Sequence, residues 1–514
     1  MRETPPGGRR RRTAVYPCRV AAGAASPEVS MFVASPPFLL FEYFRVPCAS
    51  GTAVLPSDAA SGLAAAGVVA PTFGRRSLRW VPEGAAGAGA VAGAFTLDGI
   101  PIFGSVLPDA AARSWLDGRR RGWRRSVPIC DRNGTWVASV WTDDDGDVFL
   151  PFDPNEIIRR YWTERYLDFV GSPAGKWLRS AARRAYYRLR PLIARDVQMV
   201  ARRWFSRIQS RSSFPRWPIE TGLHDFFDFL FGLVSSLADE PVPMIAPWPQ
   251  GYDWALVLTH DVETAAGYEN IDLLCDIEIN AAYRSSWNFV PQNGHRLHED
   301  VIRSLHERGF EIGVHGLHHD GRDIAEIETR LPSIRRHAEE WQAVGFRSPA
   351  TLRDWDAMPQ LAFDYDSTYF DTSPYEPQPG GCCSWLPYMN EDLVELPTTL
   401  PQDHTLFEIL GGLDEQLWLD KARFLRERGG MALVLTHPDY ARNLHLVNAY
   451  THLLREFADD ATAWKPLPRE VSAWWRARAA SSLERAADGW RIVGPAADRG
   501  AVALAPREPG GRRG

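Results

Sequence analysis

Four short polar clusters in the second half of the chain constrain its fold more than any other feature. Three of them directly follow apolar runs, and a short apolar run that ends in polar, Gly or Pro residues is typical of a buried strand. Helix-like stretches separate these runs, so the pattern predicts repeated βα units and an α/β fold. Polar side chains at the C-terminal ends of parallel strands meet at one rim, where α/β barrels carry their chemistry. The clusters are Thr259-His260-Asp261-Val262-Glu263, His315-Gly316-Leu317-His318-His319-Asp320, Arg347-Ser348-Pro349 and Thr436-His437-Pro438.

The same reasoning predicts seven strands in this half, with residues 301–308 as an amphipathic helix between two of them. The predicted strands are about 254–259, 285–290, 311–315, 345–349, 365–370, 393–397 and 431–436. Upstream, residues 135–150 predict a β-hairpin whose turn lies at Asp145-Gly146.

The length of 514 residues predicts two or three domains. A proline-rich connector at 240–249 places the start of the domain with the polar clusters near residue 250. The predicted division is a disordered N-terminus at 1–30, an accessory α+β region at 31–153, a helical basic region with the connector at 154–249, the cluster-bearing domain at 250–475, and a C-terminal helix and tail at 476–514.

The composition indicates which partners the protein binds and in which cellular compartment it resides. A net charge of -6 gives no overall attraction to nucleic acid. No run approaches the roughly 20 apolar residues of a membrane-spanning helix. The six cysteines contain no zinc-type CxxC pair, and we expect the adjacent Cys382 and Cys383 to be reduced in a loop, which favours a cytoplasmic protein.

Residues 176–211 are rich in arginine and contain a single acid, Asp196. Apolar residues recur among the arginines at nearly helical spacing. This pattern fits either a basic amphipathic helix on an anionic membrane or the solvated arginine face of a helical pair. We keep peripheral membrane contact through 176–211 as a hypothesis.

The polar clusters contain a candidate metal site. His315 and His319 are four residues apart, so both imidazoles can share a metal on one side of a helical turn. Paired histidines are more often satisfied by hydrogen bonds, but Asp261 and Glu263 end another strand at the same predicted rim and project to the same side. Two histidines and a carboxylate suit zinc or another divalent ion, which lowers the pKa of bound water to about 7.

The second carboxylate of the pair is then a candidate general base. Arg347 gives this base a cationic partner that lowers its pKa, and His437 can approach as general acid. The plain alternatives are a surface ion pair for Arg347 and a capping or core histidine for His437.

In order along the chain, these residues resemble the motifs of the polysaccharide deacetylase (NodB-homology) family of carbohydrate esterases. The resemblance covers roughly 250–440 and implies a distorted (β/α) barrel of about seven parallel strands and removal of N- or O-acetyl groups from sugars with a divalent metal. The motifs are Asp261 with Glu263, His315-x-x-x-His319, Arg347-x-Pro349, Asp366-Ser-Thr-Tyr-Phe-Asp371 and Leu435-x-His437.

Carried over by position, the resemblance implies a role for each motif. Asp261 is the catalytic base, His315 and His319 are metal ligands, and Arg347 tethers the base. His437 is the acid that protonates the leaving amine. The backbone N–H of Ala350 is the oxyanion donor, and Asp366 or Asp371 supports His437.

The first motif departs from the family, because Val262 occupies the position of a second aspartate. We infer that Glu263 supplies the metal carboxylate from one position later. A competing arrangement makes Asp261 the ligand and leaves Glu263 or His260 as base. Asp403 and His404 follow a predicted strand and map onto no family motif.

The sequence therefore predicts a metal-dependent hydrolase of carbon–nitrogen bonds, acting on an acylated amino sugar in envelope polysaccharide or glycolipid metabolism. A cytoplasmic location favours a lipid- or nucleotide-linked sugar. The alternatives are a hydrolase of cyclic amides or ureides from the same superfamily, and a degenerate site kept as a carbohydrate-binding or assembly module.

Overall fold

The computed structural model describes residues 31–51, 66–70, 76–83, 89–117, 122–170, 214–238, 240–292, 299–411 and 416–505. The predicted disorder of 1–30 and the basic stretch 176–211 lie outside these ranges. None of the described helices is long and apolar enough to cross a membrane.

The N-terminal residues form a mixed nine-stranded sheet in the order β2-β1-β3-β4-β9-β8-β7-β5-β6. Its elements are β1 (Phe32–Ser35), α1 (Leu39–Phe44), β2 (Cys48–Ser50), β3 (Ala66–Val69), β4 (Ser77–Trp80), β5 (Val91–Leu97), β6 (Ile100–Val106), α2 (Asp109–Asp117), β7 (Arg124–Asp131), β8 (Trp136–Thr142) and β9 (Val148–Leu150). The predicted hairpin is confirmed, since β8 and β9 pair antiparallel and Gly146 takes a φ of 86° in the turn between them.

After this sheet, Asp153 caps α3 (Pro154–Trp162) by accepting a hydrogen bond from the Asn155 N–H. A 3₁₀ turn follows at Arg165–Asp168, and α4 spans Gly222–Ala238. The proline-rich stretch is not only a connector, because it contains β10 (Pro243–Ile245), which pairs with a strand near the C-terminus.

The second half alternates strands with helices. Its elements are β11 (Trp254–Val262), α5 (Ala265–Glu269), α6 (Ile271–Asn280), β12 (Ser285–Phe289), α7 (Glu299–Glu307), β13 (Glu311–Val314), α8 (Ile327–Trp341), β14 (Gly345–Phe346), 3₁₀ turns at Pro349–Thr351 and Met358–Leu361, β15 (Tyr365–Asp366), β16 (Tyr388–Asn390), β17 (Leu393–Glu395), a π-helix at His404–Ile409, α9 (Gln416–Glu427), β18 (Met431–Thr436), a 3₁₀ turn at Pro438–Tyr440, α10 (Leu444–Glu456) and β19 (Ala463–Trp464).

All seven predicted strands occur, as β11, β12, β13, β14, β15, β17 and β18, and they are mutually parallel in the order β17-β15-β14-β13-β12-β11-β18. The α/β class is therefore confirmed. The sheet is not a clean seven-stranded barrel, because β16 adds antiparallel at one edge and β19 pairs beside β11. The irregular segment that follows β17 reaches β18, where the Leu400 N–H donates to the Leu433 carbonyl at 3.1 Å.

The C-terminal residues differ from the predicted helix and tail. The helix α11 spans Pro468–Ala479, and three strands follow it: β20 (Ser482–Ala486), β21 (Gly489–Val493) and β22 (Val502–Leu504). β20 and β21 form a hairpin, and β22 is the partner of β10.

One hydrophobic core joins the two halves of the chain. It includes Phe32 from the N-terminal sheet, Phe227 from α4, Val257 from β11 and Trp475 from α11. The Tyr43 ring lies 5.6 Å from Phe227 and 5.7 Å from Trp475 between ring centroids. Burial of these large side chains stabilises the packing of the N-terminal region against the second half of the chain.

Candidate metal centre and active site

The C-terminal ends of four parallel strands bring the polar clusters together. Asp261 lies on β11 opposite Asn288 of β12. Its Oδ1 accepts hydrogen bonds from Asn288 Nδ2 at 2.8 Å and from Arg347 Nη1 at 2.9 Å. Its Oδ2 lies 3.7 Å from His315 Nδ1. The predicted contact between Asp261 and Arg347 is thus present in the structure.

Arg347 is fully buried and holds three groups at once. Besides Asp261, it donates from Nη2 to Thr259 Oγ1 at 3.0 Å and from Nε to the Ser367 carbonyl at 2.9 Å. Burial alone would raise the pKa of Asp261, but Arg347, His315 and His437 together bring it below its usual value. Asp261 is therefore an ionised carboxylate in a fixed orientation.

Glu263, His315 and His319 form a group that could hold a metal ion. Each offers one ligand atom, and these atoms lie within 4.8 Å of one another. Glu263 Oε1 lies 2.9 Å from His319 Nε2 and 3.7 Å from His315 Nε2. Burial opposes ionisation of Glu263, but His319 and His315 lower its pKa well below the usual range. Two imidazole nitrogens and a carboxylate are ligands that suit zinc and related divalent ions.

The hydrogen bonds of His315 favour metal binding. Its Nδ1 lies 3.0 Å from the Arg347 carbonyl, which can only accept, so Nδ1 carries the proton. The lone pair then lies on Nε2, which is buried and has no hydrogen-bond partner among the described residues. A backbone acceptor on the second ring nitrogen is the usual support of a metal-binding histidine. These residues therefore fit a divalent ion.

The position of Val262 explains how Glu263 can replace a second aspartate. Successive side chains of a strand point to opposite faces, so Val262 points away from Asp261 and Glu263. Val262 is buried, and a Cβ at Gly267 would lie 3.1 Å from its Cγ1. His260 also points away from Asp261: its Nδ1 lies 2.7 Å from Thr436 Oγ1 and its Nε2 2.5 Å from Glu278 Oε1. This geometry disfavours His260 as the base.

Asp403, rather than Asp366 or Asp371, supports His437. Asp403 Oδ1 accepts from His437 Nδ1 at 2.6 Å, and its Oδ2 accepts from the His437 N–H at 2.7 Å. Burial would lower the pKa of His437, but Asp403, Glu263 and Asp261 raise it to about 10. His437 Nε2 lies 3.7 Å from Glu263 Oε1, on the side of the candidate metal ligands.

The two acids assigned to His437 from the sequence have other partners. Asp366 accepts from Thr368 Oγ1 at 2.6 Å and from the Thr368 N–H at 3.0 Å. Asp371 pairs with the buried Lys421 at 2.6 Å. The expectation failed because the bonds to Asp366, the last residue of β15, come from Thr368 two residues later, whereas both oxygens of Asp403 accept from His437.

Ala350 lies in the 3₁₀ turn that follows Arg347 and takes a left-handed φ of 52°. The loop with the two metal-ligand candidates packs closely against this turn. A Cβ at Gly316, whose φ is 67°, would lie 2.5 Å from Pro349 Cδ and 2.2 Å from Asp323 Oδ2. Only glycine permits this approach, which keeps Ala350 beside the loop that begins at His315.

His404 follows Asp403 and lies at the same rim. Its ring is stacked with Tyr440 at 5.4 Å between centroids, and Tyr440 lies 5.6 Å from His437. The polar cluster Gln402-Asp403-His404 after the strand at 393–397 was the sequence signal that could have assigned Asp403.

No protein-family model matches the chain, and the search of curated proteins also found no match. Several solved structures are similar to it at low identity. A probable polysaccharide deacetylase from Pseudomonas aeruginosa PAO1 is 18% identical over 51% of this chain and 98% of that chain, with a TM-score of 0.36. The Puue allantoinase is 16% identical over 52% of this chain and 98% of that chain, with a TM-score of 0.37. The peptidoglycan deacetylase PdaC from Bacillus subtilis is 10% identical over 43% of this chain and 90% of that chain, with a TM-score of 0.29. The solved structures similar to this chain include polysaccharide deacetylases.

Proposed function

We propose that the protein is a metal-dependent hydrolase that removes the acetyl group from an acetylated amino sugar. The observation that carries this proposal is the set of Glu263, His315 and His319 ligand atoms within 4.8 Å of one another, with Asp261 beside them. A divalent ion bound by these residues would lower the pKa of a coordinated water to about 7 and polarise the acyl carbonyl.

Asp261 acts as the general base. Its lowered pKa keeps it ionised at neutral pH, and Arg347 and Asn288 fix Oδ1, which leaves Oδ2 toward His315. A carboxylate with one oxygen held and the other directed at the reacting atoms can accept a proton without reorienting. The role of Arg347 is to hold this base, as the sequence motif implies.

His437 acts as the general acid. Asp403 holds its Nδ1–H, so Nε2 is the atom that faces the substrate. A pKa of about 10 keeps the imidazole protonated at neutral pH, and Nε2 can donate its proton to the departing amine. This assignment favours an amide substrate, because an amine must be protonated to leave.

The N–H of Ala350 acts as the oxyanion donor. A backbone donor tolerates any side chain, and its position depends only on the turn that presents it. The turn begins two residues after Arg347 and packs against Gly316, so it is anchored to the residues that hold the base and the metal ligands.

The substrate class and the compartment rest on the sequence alone. We propose a cytoplasmic lipid- or nucleotide-linked amino sugar, with peripheral membrane contact through residues 176–211. Sedimentation with anionic and neutral vesicles at low salt tests that contact. Equal partitioning to both lipids would contradict it, since arginine attraction requires anionic lipid and fades with salt.

The experiment that tests the function is acetate release from a panel of acetylated amino sugars, run beside cyclic ureides and with the metal content measured. We expect acetate release that chelation abolishes and zinc restores. Ring opening of a ureide without acetate release would favour the cyclic amide alternative. Full metal occupancy without turnover of any substrate would favour a degenerate binding module.

A further inference from the structure

The buried carboxylate of Glu164, which precedes the second sheet in sequence, lies close to the turn that contains Ala350. Glu164 lies just before the 3₁₀ turn Arg165–Asp168, 189 residues from Arg353 in sequence. Its Oε2 accepts from Arg353 Nε at 2.9 Å, and its Oε1 accepts from Arg353 Nη2 at 2.5 Å. Both side chains are buried. This is a bidentate pair, which fixes the plane of the guanidinium as well as its position.

Arg353 passes this constraint to the backbone of the turn. Its Nη1 donates to the Thr351 carbonyl at 3.0 Å and to the Gln378 carbonyl at 3.2 Å. The backbone N–H of Arg353 donates to Gln378 Oε1 at 3.1 Å, and Gln378 Nε2 returns a bond to the Arg353 carbonyl at 3.1 Å. Every edge of the guanidinium is therefore occupied, and one edge holds Thr351.

The turn needs such a constraint because its backbone is strained. Ala350 and Thr351 are both at a φ of 52°, a left-handed conformation that non-glycine residues keep only when their surroundings determine it. Thr351 is β-branched, which makes the conformation more unfavourable still. Without the fixed Arg353 Nη1–H donor to the Thr351 carbonyl, the turn would relax and redirect the Ala350 N–H.

We propose that Glu164 is a positioning residue for the reaction, which acts through Arg353 to fix the turn that aims the Ala350 N–H. This inference rests on the proposed function, in which that N–H stabilises the oxyanion. Through the contact between Glu164 and Arg353, the part of the chain before the second sheet helps to position the active site. Glu164 does not touch the substrate.

The same carboxylate is tied to a second loop, and this contact supplies a matched control. Glu164 Oε1 also accepts from the Gly381 N–H at 2.5 Å, and a Cβ at Gly380 would lie 2.8 Å from that oxygen. Close by, the Tyr166 hydroxyl donates to the Gly381 carbonyl at 2.7 Å. Tyr166→Phe therefore removes a buried hydrogen bond between the same two regions but leaves the bonds from Glu164 to Arg353 in place.

The test compares Glu164→Gln with Tyr166→Phe in the full chain. For each variant, kcat and KM for acetate release, metal content, Tm and amide hydrogen exchange in a peptide covering 349–353 are measured. We expect Glu164→Gln to lower kcat at least tenfold with KM and metal content unchanged, and to speed exchange at 351–353. Tyr166→Phe should lower Tm by a comparable amount with kcat and exchange at 351–353 unchanged.

If Glu164→Gln does not fold, Arg353→Lys gives the same test, because an ammonium keeps the charge but cannot bond Glu164, Thr351 and Gln378 together. Equal effects of Glu164→Gln and Tyr166→Phe on kcat, or unchanged exchange at 351–353, would overturn the proposal. A different pair of results would overturn the proposed function instead. If the wild type releases no acetate but Glu164→Gln still speeds exchange at 351–353, Glu164 holds the turn and the protein is not the proposed deacetylase.

Discussion

Asp403 accepts two hydrogen bonds from His437, one from Nδ1 at 2.6 Å and one from the backbone N–H at 2.7 Å. The first bond leaves Nε2 to face the candidate metal ligands, and the second sets the backbone from which the ring projects. The carboxylate is also the main reason that the pKa of His437 rises to about 10 against the opposing effect of burial.

The first prediction is that Asp403→Asn shifts the alkaline limb of the pH–rate profile to lower pH. Removing the negative charge lowers the pKa of His437, so the acid loses its proton at a lower pH, and kcat should fall by about tenfold or more. Asp366→Asn is the matched control, since Asp366 bonds Thr368 and not His437. A shifted limb in Asp366→Asn with none in Asp403→Asn would reverse the assignment.

The second prediction separates the roles of Asp261, on β11, and Glu263, the residue that follows the strand. Asp261→Asn should keep the metal and lose about 10²- to 10⁴-fold in kcat, because an amide cannot take up the proton. Glu263→Gln should chiefly weaken metal binding, because a carboxylate ligand becomes a neutral amide. Metal titration and kcat at saturating metal distinguish the two effects. Loss of metal in Asp261→Asn with a normal metal affinity in Glu263→Gln would make Asp261 the ligand.

The third prediction concerns Glu311, a buried carboxylate away from the rim. It accepts from the Tyr365 hydroxyl at 2.8 Å and from the Arg469 N–H at 3.0 Å, and burial raises its pKa from 4.5 to about 7. The folded state therefore keeps a proton that the unfolded state has lost between these two values, and the free energy of unfolding falls as pH rises through this window.

Glu311→Gln carries no such proton and should remove this pH dependence. At about 1.36 kcal/mol per pKa unit, the wild type should lose on the order of 3 kcal/mol relative to the variant between pH 4.5 and pH 8. Tm measured across this range checks the slope. Parallel Tm curves for the two proteins would show that the pKa of Glu311 is not raised.

The strands and the candidate metal ligands are predictable because both leave local signals in the sequence. The apolar run 431–435 ends at Thr436 and His437, and such a bounded run predicts a buried strand. His315 and His319 are close in sequence, and Asp261 and Glu263 share a face by simple alternation. Most residues of the candidate site can therefore be predicted from their short-range spacing in the sequence.

What the sequence did not reveal depends on long-range contacts. Asp403 lies 34 residues from His437 and follows an irregular segment, so no periodic pattern relates the two. Glu164 and Arg353 meet across 189 residues. The parallel pairing of β4 with β9 is equally remote, because register between distant strands depends on the packing of the whole sheet.

The metal content of His315→Ala beside His318→Ala tests the central claim most directly. His318 lies between the two ligand candidates, but its Nδ1 bonds the Gln292 carbonyl at 2.9 Å and it is not part of the ligand group. Elemental analysis should find about one divalent ion per chain in the wild type and in His318→Ala, and none in His315→Ala, with unchanged helical circular dichroism. Full metal occupancy in a folded His315→Ala would contradict the metal centre.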